Sequence, residues 1–208
     1  MINRPLASIA DYADALTTAR RARSVLVLIV SVLLIFQIAL FFAARYRIQI
    51  DADSAQVDVL KYAVGLTNFL GVVTPIVLAF VLFLIVEVML MARLLGIARV
   101  VWGFVACIVL ITLMFPWQAF LMNQSFTSVE FKIPGVLYTW EELVLRARAH
   151  PVGFLRELLF WARFVLWPGV ALVLTWMIQY QSGRGLRTAF GESVAVEAAP
   201  VVPPGAKT

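Results

Sequence analysis

The sequence predicts an all-α fold: a polytopic membrane protein of four transmembrane helices, with short interfacial amphipathic helices. Three observations predict it. Residues 69–92, FLGVVTPIVLAFVLFLIVEVMLMA, run for 24 positions with a single charge, Glu87, and a helix needs about 20 apolar residues to cross a bilayer core. Three more apolar runs approach that length. Only 14% of the chain is charged and 62% is hydrophobic, against about 25% charged in soluble domains.

The mean hydropathy of +0.94 agrees. The net charge of +5 does not point to nucleic acid. The basic residues stand at the ends of apolar runs, where arginine sets topology and meets anionic headgroups. One cysteine excludes an intrachain disulfide. One histidine excludes bis-histidine haem ligation by this chain and disfavours a His/Cys zinc site.

Three regions follow: a cytoplasmic N-terminal segment (1–23), a four-helix transmembrane domain (24–180) and a disordered tail (181–208). The first segment carries Arg4, Arg20, Arg21 and Arg23. Within it, residues 10–23 suit a short surface helix with Asp11 as N-cap. The first span is 24–44, with Gln37 near its middle and aromatic residues at its far end. An amphipathic lead-in from about Ala55 precedes the second span, 69–92, in which Pro75 removes a backbone hydrogen bond. The link LLGIAR is short, and Gly96 suits its turn.

The third span is 100–122. Gly103 and Cys107 form a small-xxx-small pair that admits a neighbouring helix, and Pro116 breaks its outer part. Thr139-Trp140-Glu141-Glu142 reads as a capping box opening an interfacial helix that ends at His150-Pro151. The fourth span is 153–180. Its first half is amphipathic, and Pro168-Gly169 interrupts its second half. The tail, rich in Gly, Ala, Val and Pro, has the composition of a disordered segment.

Arginine and lysine are nearly balanced, nine inside against eight outside with the N-terminus in. The arginines before the first span, and the acid-free Arg93–Arg99 link, place both termini in the cytoplasm, in a bacterial inner membrane.

Glu87 is the foremost candidate functional residue. A carboxylate in the hydrocarbon costs about 2.5–3.5 kcal/mol near the bilayer centre. Glu87 lies about 7 Å inside the end of its span at 1.5 Å per residue. No basic residue stands three or four positions away. Glu87 is therefore protonated or partnered from another helix, with Ser31, Cys107 and Thr175 at similar depth. Gln37 is the second candidate, as a path-lining or interhelical contact. Arg45, Arg47, Arg146, Arg148, Arg156 and Arg163 form a basic collar for lipid headgroups or an acidic partner.

No HExxH, GxSxG, CxxC, Walker or dinucleotide-binding motif is present. The sequence thus points to a non-catalytic membrane subunit or scaffold that packs in and stabilises a larger membrane complex. No cofactor or metal is expected. The partners are the lipid bilayer and other membrane subunits or a second copy. The alternative is a small oligomeric transporter or channel with Glu87 as its proton or cation site. An enzyme acting on lipid could use only His150 and the outer arginines.

Overall fold

The computed structural model describes residues 9–46, 55–117, 135–147 and 153–191. Six α-helices form there: α1 (Ile9–Tyr46), α2 (Ala55–Met91), α3 (Ile97–Met114), α4 (Trp140–Ala147), α5 (Phe154–Trp161) and α6 (Trp167–Ala189). A π-turn, Ala162–Leu166, joins α5 to α6 without a break. No strand occurs among the described residues.

Four rods are long and apolar enough to cross a membrane: α1, α2, α3 and the continuous α5–α6 unit. The chain is an all-α, multi-pass membrane protein. The rods close a ring in which α1 packs on α2, α2 on α3, α3 on α6 and α6 on α1. One end, the closed end here, gathers the N-terminal half of α1, the α2–α3 link and the C-terminus of α6. The other, the cap end, gathers α4, α5 and residues 135–139.

Helix boundaries depart from the sequence expectations in four places. Residues 9–23 belong to the same 38-residue helix as the first span; no Gly or Pro lies between Ile9 and Tyr46 to break it. The amphipathic lead-in is likewise the start of α2, which runs 37 residues through Pro75. The third helix stops at Met114, because Phe115 turns extended (ψ 132°) ahead of Pro116. The residue before a proline is pushed out of the helical region. Finally, α6 extends to Ala189, with Ser182, Gly185 and Leu186 buried, so the expected tail is helical at its start. Residues 192–208 lie outside the described residues.

The apolar transfer that drives soluble folding is absent between helices in lipid, so close backbone packing matters more. It is tightest between α3 and α6. Gly96 has φ +91°, and a Cβ there would sit 2.5 Å from the Gly185 carbonyl oxygen. A Cβ on Gly185 would lie 2.7 Å from Val100 Cγ2 and 2.9 Å from the Gly96 oxygen. Further along, Gly103 faces Ser182. Gly103 thus does admit a helix, while Cys107 faces the other way and donates its Sγ–H to the Pro75 carbonyl at 3.5 Å.

Two cores result. The larger fills the ring, from Leu16 and Val30 through Leu82, Met89 and Leu110 to Ile178 and Leu186. The smaller lies at the cap end. Phe41 stacks on Phe164 (4.6 Å, 9°), with Tyr138 and Leu143 closing around them.

Candidate functional site

Glu87 lies on the outward side of α2. Residues 80, 84, 87 and 91 form a stripe at helical spacing, in which Phe80 (66%), Leu84 (58%) and Met91 (71%) are strongly exposed. Glu87 itself is half-buried. Its expected partners bond elsewhere: Ser31 Oγ donates to the Val27 carbonyl, Thr175 Oγ1 to the Ala171 carbonyl and Cys107 to Pro75. The bundle therefore turns Glu87 toward whatever surrounds the protein. An apolar groove of about 380 Å³, lined by Ile76, Phe80, Phe83, Phe104 and Ile108, opens further along the same side, between α2 and α3.

Gln37 is buried, and its Nε2 has no hydrogen-bond partner. Its backbone carbonyl accepts the Tyr138 hydroxyl. Burial pushes the Tyr138 phenol above its ordinary range, so it stays a donor at neutral pH. Gln37 is thus part of the joint between α1 and the cap and lines none of the cavities described here.

The basic collar does not form as expected. Arg163 is buried (8%) and faces inward. Its Nε and Nη2 donate to Glu142 Oε1 and Oε2, each at 3.0 Å. Nη2 also reaches the Leu137 carbonyl at 3.0 Å, and Nη1 donates to the Gly135 carbonyl. Arg156, seven residues earlier, is exposed on α5, which buries none of its side chains. Arg163 lies beyond α5, in the π-turn, where Glu142 and the 135–137 carbonyls meet it. Arg45 lies over the Phe160 and Trp161 rings, at 4.9 and 5.3 Å. Arg47 and Arg148 are outside the described residues, as are His150 and the Arg146 side chain.

The π-turn explains this placement. Trp167 N–H bonds five residues back, to Ala162 O, just ahead of Pro168, whose missing N–H would interrupt a regular ladder. The capping box has its threonine half. Thr139 Oγ1 accepts from Glu142 N–H at 3.2 Å, but the Glu142 carboxylate turns to Arg163. A cavity of about 390 Å³ adjoins this hub, lined by Asn68, Phe69, Trp117, Tyr138 and Glu142. Asn68 Nδ2 donates to the Tyr138 carbonyl there at 2.9 Å.

A second polar centre occupies the closed end. Arg23, on α1, is 2% exposed. Its Nη1 donates to Ser182 Oγ at 2.9 Å across to α6, and the Ser182 hydroxyl donates in turn to the Ile178 carbonyl. Arg23 Nε has no partner. A cavity of about 300 Å³ beside it is lined by Arg20, Arg23, Ser24, Gln179, Arg184 and Arg187, with the aromatic rings of Trp176 and Tyr180. Composition gave no warning of this centre; Arg23 looked like one of several arginines flanking a span. The chain matches no family model, no curated protein and no solved structure.

Proposed function

We propose that this chain is a non-catalytic integral membrane subunit that packs in and stabilises a larger membrane complex. The observation that carries the reading is Glu87. It stands on an outward apolar stripe with Phe80, Leu84 and Met91 and finds no hydrogen-bond or ion-pair partner among the described residues. A carboxylate so placed calls for a donor or a cation. A partner helix supplying one at matching depth would satisfy it and cover the stripe.

The charge distribution supports cytoplasmic termini. Arg20, Arg21, Arg23, Arg93, Arg99, Arg184 and Arg187 gather at the closed end. A bacterial inner membrane is the location this reading takes.

The test is the native mass of the tagged protein, extracted from its own membrane in mild detergent, with mass spectrometry of what accompanies it. Other chains in fixed ratio support the subunit. A band of this chain alone overturns it and turns attention to the second reading, an oligomeric transporter using Glu87 as a proton or cation site. That reading rests on the same carboxylate and requires Glu87→Gln to abolish flux with assembly unchanged.

A further inference from the structure

We infer that the arginine-lined cavity at the closed end binds a phosphate-bearing anion, the headgroup of an anionic phospholipid or free phosphate. The argument begins with Arg23. Its guanidinium is almost wholly buried; among the described residues it has one hydrogen bond, to a neutral hydroxyl, and an unpartnered Nε. A buried charge requires a countercharge or full hydrogen bonding. Neither is supplied among the described residues: the described lining of the cavity holds no carboxylate, and Arg184 and Arg187 add positive charge to it. An anion that enters would supply the countercharge.

The shape of the donor set selects the class. Guanidinium groups present planar forks of N–H donors that match phosphate oxygens in pairs. Arg23 is held in place, since Ser182 anchors Nη1 from α6. Arg184 is also positioned: its Nη1 donates to Tyr180 Oη at 2.9 Å and its guanidinium stacks on that ring at 5.4 Å. Gln179 donates to Ser24 Oγ through Nε2 at 3.5 Å, while its Oε1 has no partner. That leaves an acceptor for a hydroxyl or ammonium beside the phosphate. The cavity, about 300 Å³, is large enough for a phosphate group with its substituents.

The rim favours the lipid as the source. Trp176 (71% exposed) and Tyr180 (50%) stand beside the arginines on the outer face of α6. Amphipathic rings of this kind settle at the headgroup level of a bilayer. The cavity therefore joins an aqueous end to a lipid-facing wall.

The experiment uses the full chain in neutral-detergent micelles. Native mass spectrometry and thermal unfolding are followed with added phosphatidylglycerol, phosphatidylcholine or inorganic phosphate. Phosphatidylglycerol should stay bound and raise the unfolding temperature, and phosphatidylcholine should not. Arg184→Gln with Arg187→Gln, both at exposed positions, should weaken phosphatidylglycerol binding by about tenfold or more. Arg93→Gln with Arg99→Gln, basic but outside the cavity, should leave it unchanged. If inorganic phosphate binds alone and competes, the anion is free phosphate; if it does not compete, the anion is the headgroup. Equal loss in the two double variants, or equal binding of phosphatidylcholine, would reduce the effect to general surface charge and overturn the inference. Binding that appears only after Glu192→Gln and Glu197→Gln would assign the cavity to the chain's own carboxylates and overturn it as well.

Discussion

Arg163 and Glu142 meet fork to fork, through two parallel N–H···O bonds of 3.0 Å each, 21 residues apart in the chain. The same guanidinium takes up the Gly135 and Leu137 carbonyls. One side chain thus ties α4, the 135–139 segment and the π-turn into a single cap over the Phe41–Phe164 stack. Because its Nε, Nη1 and Nη2 are all engaged, the pair escapes the usual penalty of a half-satisfied buried charge.

Removing either partner alone should be costly. Arg163→Met removes the two-point partner of the Glu142 carboxylate and frees two carbonyls; Glu142→Leu leaves the guanidinium with carbonyl partners and no countercharge. Each should destabilise by about 3–5 kcal/mol, the range for breaking a buried pair. The double variant should lose less than the sum, because no lone charge remains. Thermal unfolding in detergent checks this, and additive losses would mean the two residues do not act as a unit.

The α3–α6 contact makes a sharper steric prediction. Gly185→Ala places a methyl 2.7 Å from Val100 Cγ2 and 2.9 Å from the Gly96 oxygen, and a backbone neighbour cannot rotate away. Overpacking of this kind costs about 1–3 kcal/mol. Gly169, also helical, has nothing within 4 Å of its would-be Cβ. Gly169→Ala should be neutral or stabilise by up to about 1 kcal/mol through helix propensity. If the two substitutions behave alike in an unfolding assay, the close approach of Gly96 and Gly185 is wrong.

Tyr138 offers a pH readout. Its folded-state pKa is raised by burial, so its contribution to stability is present below the ordinary phenol value of about 10 and is lost as pH rises toward the folded value. Stability should therefore fall on the alkaline side. Tyr138→Phe should flatten part of that fall while costing about 0.5–1.5 kcal/mol at neutral pH for the hydrogen bond to Gln37 O. Unfolding temperatures of both proteins across the alkaline range test it; parallel curves would remove Tyr138 as the cause.

Cys107 gives an independent probe of the ring. Its side chain is fully buried between α2 and α3. A membrane-permeable thiol reagent should react only as the bundle opens, so the labelling midpoint should coincide with the unfolding midpoint. Rapid labelling of the folded protein would mean α2 and α3 part more easily than their packing implies.

The four rods could be read in the sequence because long apolar runs carry their own signal. Helix ends were harder. Residues 9–23 looked like a separate surface helix because polarity changes at Ser24, yet backbone continuity ignores polarity when no Gly or Pro intervenes. The polar centres were mostly hidden. Thr139 and Glu142 are legible as a cap, but the carboxylate's destination, Arg163, lies 21 positions away, beyond the next helix. Arg23 and Ser182 are 159 residues apart, and only the ring closure of α1 on α6 brings them together. Glu87 stood out because a charge in an apolar run needs no tertiary information, but which way it faces did.

That outward direction yields the last prediction. Glu87→Leu removes a carboxylate from an apolar stripe and breaks no bond among the described residues, so the isolated chain should fold at least as stably, gaining up to about 2.5 kcal/mol on insertion scales. The same substitution should weaken association with a partner by about 0.6–1.7 kcal/mol, from the average to the largest value for interhelical hydrogen bonds in membranes. Glu87→Gln keeps a hydrogen-bonding group and should weaken it less. The check is the fraction of chain recovered in the assembled band against the free band for each variant. A leucine variant that assembles as well as the parent would show that Glu87 meets no partner in the complex, and the subunit proposal would lose the observation it rests on.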